Sequence, residues 1–237
     1  MTRTITGITP SPRKPGRFVL EVDGEQIAIM SIEAIERLQL GTGVAVDDRL
    51  ALEIERESGI LQTYDRALNM LATRGRASAD LRRVLIRKGE PADRVSVAIE
   101  RLERSGFVDD ASFARQFTRS KAVSGGLSKR RVQQELAKRG VTREISDEAI
   151  ETVFVEEGVD EEASIERVAR KKLRSLSSVD APTRKRRLFS FLARRGYDSD
   201  AIARNELGRA ITDGIFARDN REPVEVAPDI FRELADR

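Results

Sequence analysis

A segment ending on glycine occurs three times in this chain, and it constrains the possible folds more than any other feature. Aligned on Gly89, Gly140 and Gly196, the segments read DLRRVLIRKG, RVQQELAKRG and RLFSFLARRG. Eight residues before each glycine stand Leu81, Val132 and Leu188, and four before stand Leu85, Leu136 and Leu192. Residues four apart share one face of a helix, so each segment carries an apolar stripe. Lys88, Arg139 or Arg195 precedes the glycine, where a cation offsets the negative end of the helix dipole. The glycine supplies the left-handed residue on which helices end. Each segment is thus a helix specified both along its buried face and at its C-terminus.

A second helix is expected after each glycine, marked by Val95 and Ile99, by Ile145 and Ile150, and by Ile202 and Leu207. Another precedes it, marked by Ala67, Leu68 and Leu71, by Phe113, Ala114 and Phe117, and by Ile165, Val168 and Leu173. The glycines lie 51 and 56 residues apart, so the chain is a tandem array of three-helix, helix-turn-helix-like units over residues 60–106, 107–157 and 158–207. Units this small bury too little surface alone and are expected to stack into an elongated, curved rod.

Residues 1–58 read as a small α/β module. Phe18, Leu20 and Val22 alternate, Asp23-Gly24 is a two-residue hairpin turn, and Ile27 and Ile29 alternate after it. Pairing Val22 with Glu25 sets Leu20 opposite Ile27 and Phe18 opposite Ile29. Ser31 is expected to cap a short helix carrying Ile32, Ile35 and Leu38 over the apolar face. Val44 to Val46 can add a strand, and Asp47 or Asp48 can cap the helix leading into the repeats. Residues 208–237, with Pro223 and Pro228, read as a poorly ordered tail with one short helix near Ile230 to Leu234.

The 237 residues contain no cysteine and no histidine. That removes disulfides, thiolate chemistry, the commonest metal ligand and the commonest base near neutral pH. No catalytic residue, metal or cofactor is expected. No apolar run is long enough to span a bilayer or to serve as a signal peptide, so a cytoplasmic protein without membrane contact is expected. Charge is unevenly spread: seven basic residues against ten acidic in 1–60, 31 against 23 in 61–207, and five against seven in 208–237. The basic middle points to a polyanionic partner.

Helical geometry places these cations. Arg130 and Arg186 stand ten residues before their glycines and Lys138 and Arg194 two before, on ridges facing away from Val132 and Leu188. Lys129, Arg131, Lys185 and Arg187 extend the ridges at the helix starts, and Arg139 and Arg195, which precede the glycines, join them as candidates. These ten residues are the candidate contacts to phosphate or to an acidic protein groove. Phe113, Phe117, Phe189 and Phe191 are read as core. The turn Ser124-Gly125-Gly126-Leu127-Ser128-Lys129 enters a helix N-terminus, where free amides can hold a phosphate or Ser128 can simply cap the helix. The adjacent carboxylates Asp47/Asp48, Asp109/Asp110, Glu156/Glu157 and Glu161/Glu162 diverge on a helix; Asp110 reads as an N-cap.

Taken together, RALNMLATRGRASADLRRVLIRKG, LERSGFVDDASFARQFTRSK, GGLSKRRVQQELAKRGV and ARKKLRSL with RKRRLFSFLARRGY resemble the RecX regulatory proteins over residues 62–205. The most specific pieces are Asp109-Asp110 with Phe113-Ala114, and Glu135-Leu136 with Lys138-Arg139-Gly140. Asp80, Val132 and Tyr197 depart from the family's usual Glu, Ile and Phe but keep their character. The resemblance implies a non-enzymatic monomer that lies in the groove of the RecA–DNA filament. It implies inhibition of the recombinase's ATP hydrolysis, strand exchange and co-protease activity, and so a role in recombinational DNA repair and the SOS response. Single- and double-stranded DNA are the further partners expected. Two alternatives stay open at this point: a sequence-tolerant DNA-binding protein of transcription or chromosome organisation, and a metal-dependent nuclease, which the missing histidines disfavour.

Overall fold

The structure, a computed structural model, describes residues 3–204. The expected tail, its short helix and Leu207 lie outside the described residues. The elements run β1 (Arg3–Pro10), β2 (Arg17–Val22), β3 (Glu25–Ser31), α1 (Ile32–Arg37), β4 (Ala45–Val46) and α2 (Asp48–Thr73). There follow α3 (Ser78–Arg87), α4 (Ala92–Arg104), α5 (Asp110–Thr118), a π-helical stretch (Arg119–Ser124), α6 (Lys129–Lys138) and α7 (Arg143–Glu156). The third unit holds α8 (Glu161–Arg174), α9 (Ala181–Arg194) and α10 (Ser199–Arg204). The protein is mainly helical, with tandem three-helix domains after a small sheet module. By its contacts the chain forms two compact units. Of the described residues, one comprises those up to Ser120 with Val132–Val155, the other Lys121–Arg131 with those from Glu156 onward.

In the first unit, four strands pair antiparallel in the order β3-β2-β1-β4. The hairpin turns at Asp23-Gly24, with Val22 opposite Glu25. Beyond that pair the expected register is corrected. A shift between Leu20 and Glu21 sets Leu20 opposite Ala28, Val19 opposite Ile29 and Phe18 opposite Met30. The bulge turns Ile27 out, to 37% exposure, and brings Ala28 and Met30 into the core with Ile5, Leu20 and Val22. Strict alternation cannot reveal it, because one extra residue exchanges the two faces from there on. Strand β1 completes the sheet with Ile5 buried. Ser31 caps α1 by accepting from the Ala34 amide at 3.3 Å, and Asp47 caps α2 by accepting from Leu50 at 2.7 Å.

Helix α2 runs without a break through residue 58, where the module was expected to end. Its first half closes the module's core through Ile54, and its second half joins α3 and α4 through Ala67 against Leu81, Leu85, Val95, Ile99 and Leu102.

The helices before the three glycines all end alike. At α6 the Gly140 amide bonds to Ala137 O at 2.9 Å and the Val141 amide to Leu136 O at 3.2 Å; at α9 Gly196 bonds to Ala193 O at 3.0 Å and Tyr197 to Leu192 O at 3.3 Å. Gly140 and Gly196 stand at φ +84° and +91°, as this closure requires. The next residue, Val141 or Tyr197, is buried. These glycines serve packing as well. A Cβ at Gly140 would lie closer than 3.0 Å to the Cβ of Ala79, and one at Gly196 would lie 2.5 Å from the Cβ of Arg131. A side chain at the end of either helix would therefore push into the first turns of the middle helix of the preceding three-helix unit.

Candidate functional site

The structure separates the ten expected contact residues into two groups, and the divide is what each cation finds near its helix end. Arg130 is exposed, as its spacing predicts, and its guanidinium also donates to the Gly196 carbonyl, from Nε at 3.2 Å and from a terminal nitrogen at 3.0 Å. The carbonyls at the end of α9 have no partner within their own helix, and Arg130 supplies one. Arg131 is half-buried against the same turn.

Arg139 and Arg195 lie against aromatic rings. Arg139 turns back on its own helix, donating to Glu135 O at 2.6 Å and pairing with the Glu135 carboxylate at 3.1 Å, while its guanidinium lies 4.4 Å from the centroid of the Phe117 ring. Arg195 lies 4.0 Å from the centroid of Phe191, and burial pushes its pKa down. A cation just before the closing glycine lies beside the apolar stripe, so an aromatic face receives it. Phe113 and Phe117 stack at 5.9 Å and, like Phe191, are half-buried. Phe189 is 47% exposed and is not core, because it sits about 100° round the helix from Leu188.

The other exposed candidates are Lys129 and Lys138 on α6 and Lys185, Arg186, Arg187 and Arg194 on α9. Lys138 pairs with Glu135 at 3.3 Å. Lys185, Arg186 and Arg194 form no ion pair among the described residues.

The end of α8 adds further cations to those of the middle helices. Helices α8 and α9 pack through Ile165, Val168 and Ala169 against Leu188 and Leu192, and only six residues join them. The C-terminal turn of α8, with Lys171, Lys172 and Arg174, therefore lies at the same end of the third unit as Arg184, Lys185, Arg186 and Arg187. The signal was legible: ARKKLR and TRKRR flank a short link, which a helical hairpin brings together. Lys172 is 5.6 Å from the Phe191 centroid, and Arg184 donates to Val179 O at 2.8 Å. The acid at this end, Asp180, is occupied as the α9 N-cap. Its oxygen accepts from Thr183 N at 3.0 Å, and hydrogen bonds from Thr183 hold its carboxyl below the usual range. The ensemble is a compact cationic surface suited to phosphate or carboxylate oxygens.

The glycine turn before α6 is packed inside the second unit. Gly126 approaches Val168, Tyr197 Oη donates to Gly126 O at 3.1 Å, and Ser128 Oγ accepts from Arg131 N at 3.2 Å. The Lys129 amide, a candidate phosphate donor, goes to the Glu161 carboxylate at 2.9 Å. The capping reading of this turn holds and the phosphate reading does not, because a protein carboxylate already holds the amide.

Carboxylates cap helices here. Asp109, and not Asp110, caps α5 by accepting from Ser112 N at 2.9 Å. Asp110 instead reaches the start of α3, accepting from Ser78 N and Ser78 Oγ at 2.7 Å each. Helix α3 has no capping side chain of its own, so neighbouring acids serve two helices. Among the described residues no group of three His, Cys, Asp or Glu is placed to hold a metal ion, and no helix is long and apolar enough to cross a membrane.

Comparison with known proteins agrees with this architecture. The family model for the RecX second three-helix domain matches residues 109–150, and that for the RecX third three-helix domain matches residues 160–204. A protein of Amycolatopsis mediterranei named regulatory protein RecX is 35% identical over 145 residues, which cover 61% of this chain and 81% of that one. Its namesake from Levilactobacillus brevis is 26% identical over 188 residues, covering 79% and 70%. A solved structure described as regulatory protein RecX shares the fold at a TM-score of 0.69 and 20% identity, over 86% of this chain and 98% of that one. With its glycine-closed three-helix domains in the same order and this degree of likeness along most of a relative's length, the chain belongs to the RecX family of regulatory proteins.

Proposed function

We propose that this chain is a negative regulator of the RecA recombinase. It binds the RecA–DNA filament and lowers its ATP hydrolysis, strand exchange and co-protease activity, which moderates recombinational repair and the SOS response. It acts in the cytoplasm, by binding and without chemistry of its own. The name of its relatives supports a regulatory role. The observation that carries the contact is the cationic end of the third three-helix domain, where Lys171, Arg174, Lys185, Arg186 and Arg187 form no salt bridge among the described residues, and the nearby Asp180 is taken up as a helix cap. Such a surface gains from acidic filament protein or from DNA phosphate. Tandem units tethered in one chain add weak contacts at high effective concentration. A filament state bound more tightly by the chain is populated at the expense of the active one.

The test is ATP hydrolysis by recombinase on single-stranded DNA. Lys185→Glu, Arg186→Glu, Arg187→Glu and Arg194→Glu combined should relieve inhibition by at least about tenfold in required concentration, with the melting temperature nearly unchanged, because exposed positions usually matter by less than about 0.5 kcal/mol each. Arg130 is left out because it bonds to Gly196. Arg3→Glu with Arg13→Glu, both exposed, is the control. Full inhibition by the fourfold variant would remove this surface from the function. Equal binding to naked duplex DNA, with a steep salt slope and no preference for coated DNA, would favour the DNA-binding alternative that the same cations support.

A further inference from the structure

A cleft of about 680 Å³ opens in the first unit, between the strand module and the first three-helix domain. That volume lies within the range of about 300–1,000 Å³ usual for ligand sites. Leu61, Tyr64 and Leu68 of α2 line its apolar side, and Phe107 stands at its edge. Four guanidinium groups also line it, from Arg17, Arg37, Arg101 and Arg104.

The two carboxylates in the cleft are already engaged. Glu57 is buried and accepts from Arg101 at 2.9 and 3.2 Å and from Arg37 at 2.7 Å. Glu33 stands in the first turn of α1, where its own amide and the Ser31 hydroxyl hold its pKa down, against a smaller opposing effect of burial. Arg17 is directed to Asp65 at 2.8 Å. Arg104 forms no ion pair among the described residues, and the side chain of Arg37 is 53% exposed. The wall therefore carries positive charge that its own acids leave over.

Phe107 is the second observation. It follows the glycine that closes α4, its amide bonding to Leu102 O at 2.9 Å. At the three equivalent closures the residue in this place, Glu90, Val141 or Tyr197, is buried. Phe107 is 58% exposed while the next residue, Val108, is 4% exposed. The turn thus buries Val108 and leaves an aromatic ring uncovered beside Arg104.

We propose that this cleft binds an acidic peptide segment of a partner protein, its aromatic or aliphatic side chain against Phe107 and Leu68 and its carboxylates on Arg104 and Arg37. Arg guanidinium matches carboxylate in bidentate geometry, and one apolar anchor among charged contacts is a common way for a short peptide to bind. A nucleic acid strand fits less well. Residues 1–60 hold ten acidic residues against seven basic, and Glu33 and Glu57 sit in the wall, so an extended polyanion crossing the module meets net negative charge. A short segment needs only the local arginines. This inference does not depend on the recombinase reading, since it concerns a different surface.

The experiment selects from a randomised dodecapeptide phage library on the full chain and measures the enriched peptide by fluorescence anisotropy. The expected sequences carry Phe, Trp, Leu or Ile close to two or more Asp or Glu. Affinity should fall about tenfold or more in Arg104→Glu and in Phe107→Asp, and by less in Arg104→Lys. Both positions are exposed, so the melting temperature should hold; if Phe107→Asp alone melts early, the Arg104 pair decides. Enrichment of peptides without acids, no enrichment, or affinity indifferent to Arg104→Glu would overturn the proposal. So would displacement of the peptide by a dT oligonucleotide whose own binding Arg104→Glu abolishes, which would assign the cleft to nucleic acid.

Discussion

Alanine at Gly89 and at Gly140 should differ in cost, although the two glycines occupy the same place in successive units. Both stand in the left-handed region, at φ +91° and +84°, where a side chain costs about 1–2 kcal/mol. A Cβ at Gly89 meets nothing within 4 Å, whereas one at Gly140 falls closer than 3.0 Å to the Cβ of Ala79 in α3. Carbon atoms in contact sit about 3.5–4.0 Å apart, so the end of α6 and the start of α3 must separate by at least about half an ångström. Ala79 has no torsion with which to yield. Overpacking of this kind costs about 1–3 kcal/mol. Gly89→Ala should therefore cost about 1–2 kcal/mol and Gly140→Ala about 2–5 kcal/mol.

Urea unfolding followed at 222 nm measures both. With a slope of about 1–3 kcal/mol per molar, an extra 2 kcal/mol moves the midpoint by roughly 1 M. The double variant Ala79→Gly with Gly140→Ala separates strain from collision: it removes the overlap and keeps the left-handed alanine. A coupling of about 1–3 kcal/mol in that cycle supports the contact. Additivity within about 0.5 kcal/mol, or equal losses for Gly89→Ala and Gly140→Ala, would refute the reasoning.

Asp110→Ala should cost about 2–3 kcal/mol, because it strips two charge-assisted bonds from the start of α3, while Asp109→Ala, losing one cap, should cost about 1 kcal/mol; thermal melts giving the reverse order would contradict the assignment. Tyr197 is pushed up to about 12 by burial, with Glu161 adding to the effect. The unfolded chain releases this proton near pH 10 and the folded chain near 12, so the folded state holds more protons in that window and stability falls as pH rises through it, by at most about 3 kcal/mol. Tyr197→Phe should lose that share of the slope between pH 10 and 12, and an identical slope would reject it.

The helical units were legible because their signals are local. An i, i+4 apolar pair, a cation and a glycine lie within ten residues, and each acts through the backbone of its own helix. Ser31 and Asp47 were legible as caps for the same reason. The bulge at Leu20–Glu21 was not, since β-register depends on which face the rest of the module buries, and Ala28 and Met30 decided that against Ile27 and Ile29. Nor was the exchange of roles between Asp109 and Asp110: Ser78, thirty-two residues away, presents an uncapped helix start that no local pattern announces. The partners of the cations were not legible either: spacing gives the face each occupies, but Gly196 O, Phe117 and Phe191 determine which guanidinium groups remain available.

Recurrence in a tandem array marks equivalent places, and equivalent places meet different neighbours. Ten residues before the glycine stand Ala79, Arg130 and Arg186. Ala79 packs against Gly140, and Arg130 hydrogen-bonds to Gly196 O; in both cases the position joins the closing turn of the next three-helix unit. Both arginines are exposed, but Arg186 has no such partner among the described residues, so the repetition of arginine at 130 and 186 reflects two different roles. The side chain that fastens one unit to the next in the second domain is left at the surface of the third, beside Lys185, Arg187 and the end of α8. A backbone carbonyl oxygen is what the guanidinium in this position engages at Arg130, and an acidic protein surface offers oxygen acceptors that also carry charge. A charge-reversal test that includes Arg130 would therefore mix a broken internal joint with a lost contact, whereas one confined to Lys185, Arg186, Arg187 and Arg194 reads the contact alone.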